Sequence, residues 1–139
     1  MTDEDYLNFV YYYQRHNKVW DILWSKKISN HFTVTDVYLL ELLNKHTEIT
    51  PSFIAEELYL TSGGVTGLLE RNIKNKLITK RKDNKDRRIS LISMTEEGKN
   101  ALIKLRKDCT QLTKSFLSVL TTEEILQLER LNKKLYQSY

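Results

Sequence analysis

Three of the four glycines in this chain fall inside one stretch with helical periodicity, TSGGVTGLLERNIKNK at residues 61 to 76, which runs straight into the most basic segment of the sequence. Val65, Leu68, Leu69, Ile73 and Leu77 recur at spacings of three, one, four and four, which aligns them on one side of a helix. The other side carries Gly63, Gly64, Thr66, Gly67, Glu70, Arg71 and Lys74. Each glycine inside a helix costs up to ~1 kcal/mol relative to alanine, so concentrating them on one face needs a compensating reason. A face nearly bare of side chains admits another backbone at close range, and the hydroxyls and cations around it suit phosphates and base edges. For the glycines taken alone, a close helix–helix contact is the competing explanation.

The segment that follows favours a polyanion. Between Lys74 and Arg88 stand eight basic residues (Lys74, Lys76, Lys80, Arg81, Lys82, Lys85, Arg87, Arg88) against two acids, Asp83 and Asp86. That surplus of six lies in a chain whose net charge is +4, so the remainder nets −2. Charge gathered this way is an electrostatic footprint for a polyanion rather than a general solubility device. Apolar flanks at 77–78 and 89–92 surround a polar run containing turn-forming Asp83 and Asn84, which predicts a two-stranded hairpin with a basic tip.

The rest of the chain supplies helices. At 139 residues it is long enough for one domain. The acidic start MTDEDYLNF is unlike a signal peptide, and no run approaches the ~20 apolar residues of a membrane span, so a cytoplasmic protein is expected. Residues 4 to 26 predict a long helix with Tyr6, Val10, Tyr13, Asn17, Trp20 and Trp24 on a heptad-like seam. A second helix is expected after Thr33, with Asp36 completing a capping box and Val37, Leu39, Leu40, Leu42 and Leu43 buried. Thr50-Pro51 is a strong helix start, and helix 51–58 should bury Ile54, Ala55 and Leu58. Thr61 or Ser62 then caps the glycine-bearing helix. Two short helices joined by a tight turn, the second basic and followed by a hairpin, form a winged helix-turn-helix.

Beyond the hairpin, Thr95 caps a helix with Glu96 and Glu97 in its first turn and a seam of Leu102, Leu105, Cys109, Leu112, Phe116 and Val119. Thr121 and Glu124 form a capping box for a last helix that should bury Ile125, Leu128, Leu131 and Leu135. Both ends of the chain thus carry seams that need a partner surface, which predicts a homodimer. The expected fold is mainly α with a small β wing: a winged helix-turn-helix at 33–98, flanked by dimerisation helices at 1–32 and 99–139.

On four motifs, TVTDVYLLELL at 33–43, PSFIAEEL at 51–58, SGGVTGLLER at 62–71 and LITKRKDNKDRRISLISMTEEG at 77–98, the sequence resembles the MarR-type transcriptional regulators. The resemblance implies a homodimer on double-stranded, pseudo-palindromic operator DNA, with repression as the expected outcome. One recognition helix would enter each of two successive major grooves, through Ser62, Gly63, Gly64, Thr66, Gly67 and Arg71. The wing's Asp-x-Arg positions fall on Asp86, which would brace the loop, and Arg88, which would enter the minor groove. Lys74, Arg81, Lys82, Lys85 and Arg87 add the charge for phosphate contacts. Two departures stand out: Asn72-Ile73 replaces the usual Leu-Glu, and Lys76 replaces a glycine. A lysine kept in a left-handed conformation there costs ~1 kcal/mol. With glycine at 63 and 67, direct base readout is thinner and shape readout by the wing gains weight.

Relatives of this type respond to small aromatic ligands, and the first helix offers Tyr11, Tyr12, Tyr13, His16, Trp20 and Trp24, rings with polar tips that suit such an effector. The same rings equally suit a dimer core, and both readings stand. His16, His31 and His46 lie on separate predicted elements without ligand spacing, so neither a metal nor another cofactor is expected. Cys109 sits on an apolar seam, where an inert thiol is the default, and no cysteine occupies the first helix as in the peroxide-sensing relatives. An enzyme is therefore not expected. The rival class is a winged-helix architectural or protein-interaction module that binds DNA without sequence preference.

Overall fold

The computed structural model describes residues 1–28 and 32–139. In chain order they form α1 (Asp3–Lys27), α2 (Val34–Lys45), α3 (Pro51–Glu57), α4 (Ser62–Lys74), β1 (Ile78–Lys82), β2 (Ser90–Met94), α5 (Glu96–Phe116) and α6 (Thr122–Tyr136). The chain is mainly helical with one small two-stranded antiparallel sheet, as its periodicities predict. It divides into two compact units, one of residues 28–107 and one joining residues 1–27 to 108–139.

In the first unit, local chemistry starts each helix. The Thr33 hydroxyl accepts from the Asp36 amide at 3.1 Å while an Asp36 carboxylate oxygen accepts from the Thr33 amide at 2.7 Å, closing the capping box in front of α2. Val37, Leu39, Leu40, Leu42 and Leu43 are all buried, so α2 lies in the core as expected. Pro51 opens α3 behind the Thr50 cap, where its missing N–H has no helical partner to lose. Ile54 is fully buried, whereas Ala55 and Leu58 are only half-buried. The turn into α4 is closed by the Leu60 amide on the Ala55 carbonyl at 2.9 Å and passes through Tyr59 at φ 53°. Thr61, not Ser62, caps α4 by accepting from the Gly64 amide.

The end of α4 is a Schellman arrangement. The Leu77 amide returns to the Asn72 carbonyl and the Lys76 amide to the Ile73 carbonyl, with Lys76 left-handed at φ 61°. The lysine that replaces a glycine therefore keeps the glycine's conformation. β1 and β2 then pair from Ile78↔Met94 to Lys82↔Ser90, and Ile49 adds reciprocal backbone bonds to Ile92 at 3.0 and 2.8 Å. Ile78 and Ile92 are buried beneath the sheet.

The Met-Thr-x-x-Gly turn after β2 fastens the wing root to the end of α4. The Thr95 amide donates to the Leu77 carbonyl, and its hydroxyl donates to the Lys76 carbonyl at 2.7 Å while accepting from the Gly98 amide. A Cβ on Gly98 would stand 2.2 Å from the Leu77 oxygen, so only glycine lets α5 start against that carbonyl.

In the second unit, His16 and Trp20 of α1 pack on Phe116 of α5, with ring centroids at 4.9 and 5.2 Å. The capping box of Thr121 and Glu124 opens α6 as expected. Two expectations need correction. α5 ends at Phe116, because the backbone must turn before the Thr121 cap, so Val119 is off the helix and 87% exposed. Leu128, Leu131 and Leu135 are exposed rather than buried in the single chain, and Tyr6, Val10 and Tyr13 of the α1 seam, for which a partner surface is expected, are exposed too.

Candidate nucleic-acid interface

The exposed face of α4 combines bare backbone with side chains that are already committed. A Cβ built on Gly63 or Gly67 meets nothing within 4 Å, so no packing inside the described chain requires glycine at either position. Gly64 differs, since its Cβ would press to 3.3 Å on the capping hydroxyl of Thr61. The Thr66 hydroxyl donates back to the Ser62 carbonyl at 3.0 Å.

Arg71 is held from inside the fold. Its Nε and Nη2 donate to Asp36 Oδ1 at 3.1 and 2.7 Å, and the buried Asn72 amide donates to the same oxygen at 2.8 Å and to the Leu68 carbonyl at 2.9 Å. Burial pushes the Asp36 carboxyl up, but the Thr33 amide, Arg71, Asn72 and the Thr33 hydroxyl outweigh it, leaving the group below the usual carboxylate range. The node also corrects the predicted core face of α4: Asn72 points inward at 1% exposure, while Ile73 is 38% exposed. A polar side chain takes the buried site because each of its donors is satisfied. Asp36 was legible only as a capping residue, and nothing in the sequence marked its second role.

The hairpin shows the same pattern of braced arginines. Arg81 is gripped by Glu48 through two bonds of 2.8 Å and also donates to the Lys82 carbonyl, which ties the wing to the residues before α3. In the wing loop Asp86 Oδ1 accepts from the Arg88 amide and Nε, while Oδ2 accepts from Nη2, all at 3.0 Å. The Arg88 guanidinium, followed by its backbone amide, holds the Asp86 carboxyl below its usual range. The Arg88 side chain stays 90% exposed. Lys82 donates to Ser90, and Lys74, Lys85 and Arg87 form no ion pair among the described residues. Glu48 was missed because its partner lies 33 residues away.

The aromatic residues of α1 split into groups: His16 and Trp20 gather on Phe116, with Trp24 beside Trp20 at 6.2 Å. Tyr11 and Tyr12 are exposed, meet edge-on at 5.2 Å, and Arg15 lies over the Tyr11 ring. Tyr13 stacks on Phe9, and Trp24 is buried. A cavity of about 480 Å³ in this unit is lined by Cys109, Thr113, Leu117, Leu120 and Ile125 among others, and not by Tyr11, Tyr12, His16, Trp20 or Trp24. No three His, Cys, Asp or Glu side chains gather as metal ligands among the described residues, and His31 lies outside them. No described helix is long and apolar enough to cross a membrane.

Comparison with known proteins agrees with this geometry. The sequence profile of the MarR family matches residues 32–89. The HTH-type transcriptional repressor MdtR of Bacillus subtilis is 31% identical over 106 residues, covering 76% of this chain and 68% of that protein. Among solved structures, a mutant MarR from E. coli complexed with operator DNA superposes with a TM-score of 0.82 at 21% identity, over 94% of this chain and 95% of that one. PcaV of Streptomyces coelicolor, in complex with its natural ligand, gives 0.80 at 21% identity, over 89% and 88%.

Proposed function

The chain belongs to the MarR family of winged-helix transcriptional regulators, and on that premise we propose that it acts as a homodimeric repressor of a pseudo-palindromic operator. One observation carries the reading: α4 and the wing loop display, in one unit, a glycine-bare helix face and a strongly exposed, acid-braced arginine. Bare backbone suits close approach to a major groove, and a braced arginine suits a narrow minor groove. Repression is supported by the name of the Bacillus relative. Dimerisation is supported by the exposed apolar seams of α1 and α6, because such faces in water mark an interface.

A mobility shift on the region upstream of its own gene, with excess nonspecific duplex as competitor, tests the reading. Retarded operator that survives the competitor is expected; equal displacement by any duplex would instead support the architectural alternative. Sedimentation at micromolar concentration should give a dimer, and a folded monomer would sink that part. Relief by a small aromatic effector is the last element, supported by the polar-tipped rings of α1 and by the ligand-bound relative. Such a ligand acts only through its preference for the DNA-incompetent arrangement. Titrating phenolic carboxylates while following Trp20 and Trp24 fluorescence together with operator release tests it, and silence across the panel refutes it.

A further inference from the structure

We propose that Asp36 is a positioning residue for sequence recognition: it fixes the Arg71 guanidinium so that its free edge is presented, beyond the bare face of α4, to a guanine in the major groove. This rests on the reading of α4 as the recognition helix. A guanidinium has five N–H donors in a rigid fork. Asp36 Oδ1 takes one from Nε and one from Nη2, which leaves the outer Nη1/Nη2 edge unused. The Asp36 side chain is 3% exposed and that of Arg71 44% exposed, so the grip is internal and the free edge meets solvent.

The carboxylate cannot swing. Its Oδ2 is held by the Thr33 amide and hydroxyl at 2.7 and 2.9 Å, and its Oδ1 also carries the Asn72 amide, itself anchored to the Leu68 carbonyl. A surface arginine ordinarily loses rotamer freedom when it binds, whereas this one is already fixed. Gly67 and Gly63, one and two turns earlier, place no side chain between it and an approaching groove. Arg71 is the one guanidinium on α4, and two parallel donors match the O6 and N7 acceptors that guanine alone presents.

The test uses the full-length protein and a duplex recovered by in vitro selection with the wild type, compared with a scrambled duplex by fluorescence anisotropy. Arg71→Ala should lower affinity for the selected duplex by about ten- to a hundred-fold and relax selection at one guanine per half-site. Asp36→Asn should reproduce most of that loss, because an amide turns a donor toward either Arg71 or Thr33. The double variant should be no worse than Arg71→Ala, an outcome that a merely structural role for Asp36 would not give. If thermal unfolding shows that Asp36→Asn does not fold, Thr33→Val serves in its place: it removes the hydroxyl that holds Asp36 Oδ2, loosens the carboxylate and should lose part of the same selectivity, while Arg71→Lys, which lacks the fork, should lose all of it. No preference by the wild type would overturn the recognition reading itself. A wild-type preference that survives in Arg71→Ala or Arg71→Lys, or losses that multiply in the double variant, would overturn the role of Asp36 alone.

Discussion

Replacing Lys76 by glycine should stabilise the fold. At φ 61° Lys76 closes the Schellman turn after α4, and a left-handed L-residue costs roughly 1–2 kcal/mol through the approach of its Cβ to the next carbonyl. Glycine removes that cost but gains freedom in the unfolded chain worth about 0.4–1 kcal/mol, so the net gain is roughly 0.8 kcal/mol at mid-range. The lysine charge works the other way, since a cation at a helix C-terminus contributes about 0.3–1 kcal/mol at low ionic strength. Lys76→Ala separates the two effects: like the glycine variant it lacks the charge, but it keeps the strained φ. Urea unfolding in roughly 0.3 M salt, where exposed charges are screened, should give an order of stability of Gly above Lys, with Ala at or below Lys. The glycine midpoint should rise at unchanged slope, and the melting temperature by about 1–4 °C for a chain of this size. All three need one protein concentration, because the stability of the proposed dimer would depend on it. Equal stability of the glycine and alanine variants would refute the strain reasoning.

Gly63→Ala and Gly67→Ala, whose new methyl groups meet open space, should each stabilise α4 by up to ~1 kcal/mol yet weaken operator binding; unchanged binding would mean that no groove approaches the bare face. Gly98→Ala should lower stability by about 1–3 kcal/mol or more, because the added Cβ lands on the Leu77 carbonyl, and a thermal midpoint equal to wild type would contradict that contact. Asp36 has a folded pKa below its ordinary value, so its contribution is present above the unfolded value of ~3.9 and is lost as pH falls through the folded one. Urea midpoints between pH 6 and 3 should therefore fall more steeply for wild type than for Asp36→Asn, and parallel curves would count against the node. Lys85→Ala should reduce affinity about equally for all duplexes and flatten the salt dependence, whereas Arg88→Ala should reduce operator affinity selectively; wild-type operator binding by Arg88→Ala would remove the wing from the interface.

What the sequence disclosed was chemistry that closes within one turn of chain. The Thr33/Asp36 and Thr121/Glu124 boxes and the Thr50-Pro51 start depend on residues at most a few positions apart, so local spacing carries them, whereas the left-handed site at Lys76 was marked by the family resemblance. The candidate site was legible in its position but not in its wiring. Asp36 and Arg71 are 35 positions apart and Glu48 and Arg81 33, and no periodicity links such pairs. Periodicity also assigned Ile73 to the core and left Asn72 out of it, because it scores polarity alone. A buried amide is tolerated when its donors are satisfied, and the oxygen that satisfies this one comes from another helix.

The same wiring separates paired from unpaired cations around α4 and the wing. Arg71, Arg81, Arg88 and Arg106 each sit on a carboxylate, of Asp36, Glu48, Asp86 and Glu41 in turn, whereas Lys74 and Lys85, like Arg87, pair with no acid among the described residues. A planar fork gripped along one edge is fixed in direction, while an ammonium on a flexible stem is a mobile point charge. Pairing also cancels much of each arginine's long-range field. The salt-dependent attraction to a duplex should then come from the lysines and Arg87, and the geometric discrimination from the arginines whose charge is already answered inside the fold. The basic count between Lys74 and Arg88 thus overstates the electrostatic pull of the hairpin and understates its rigidity.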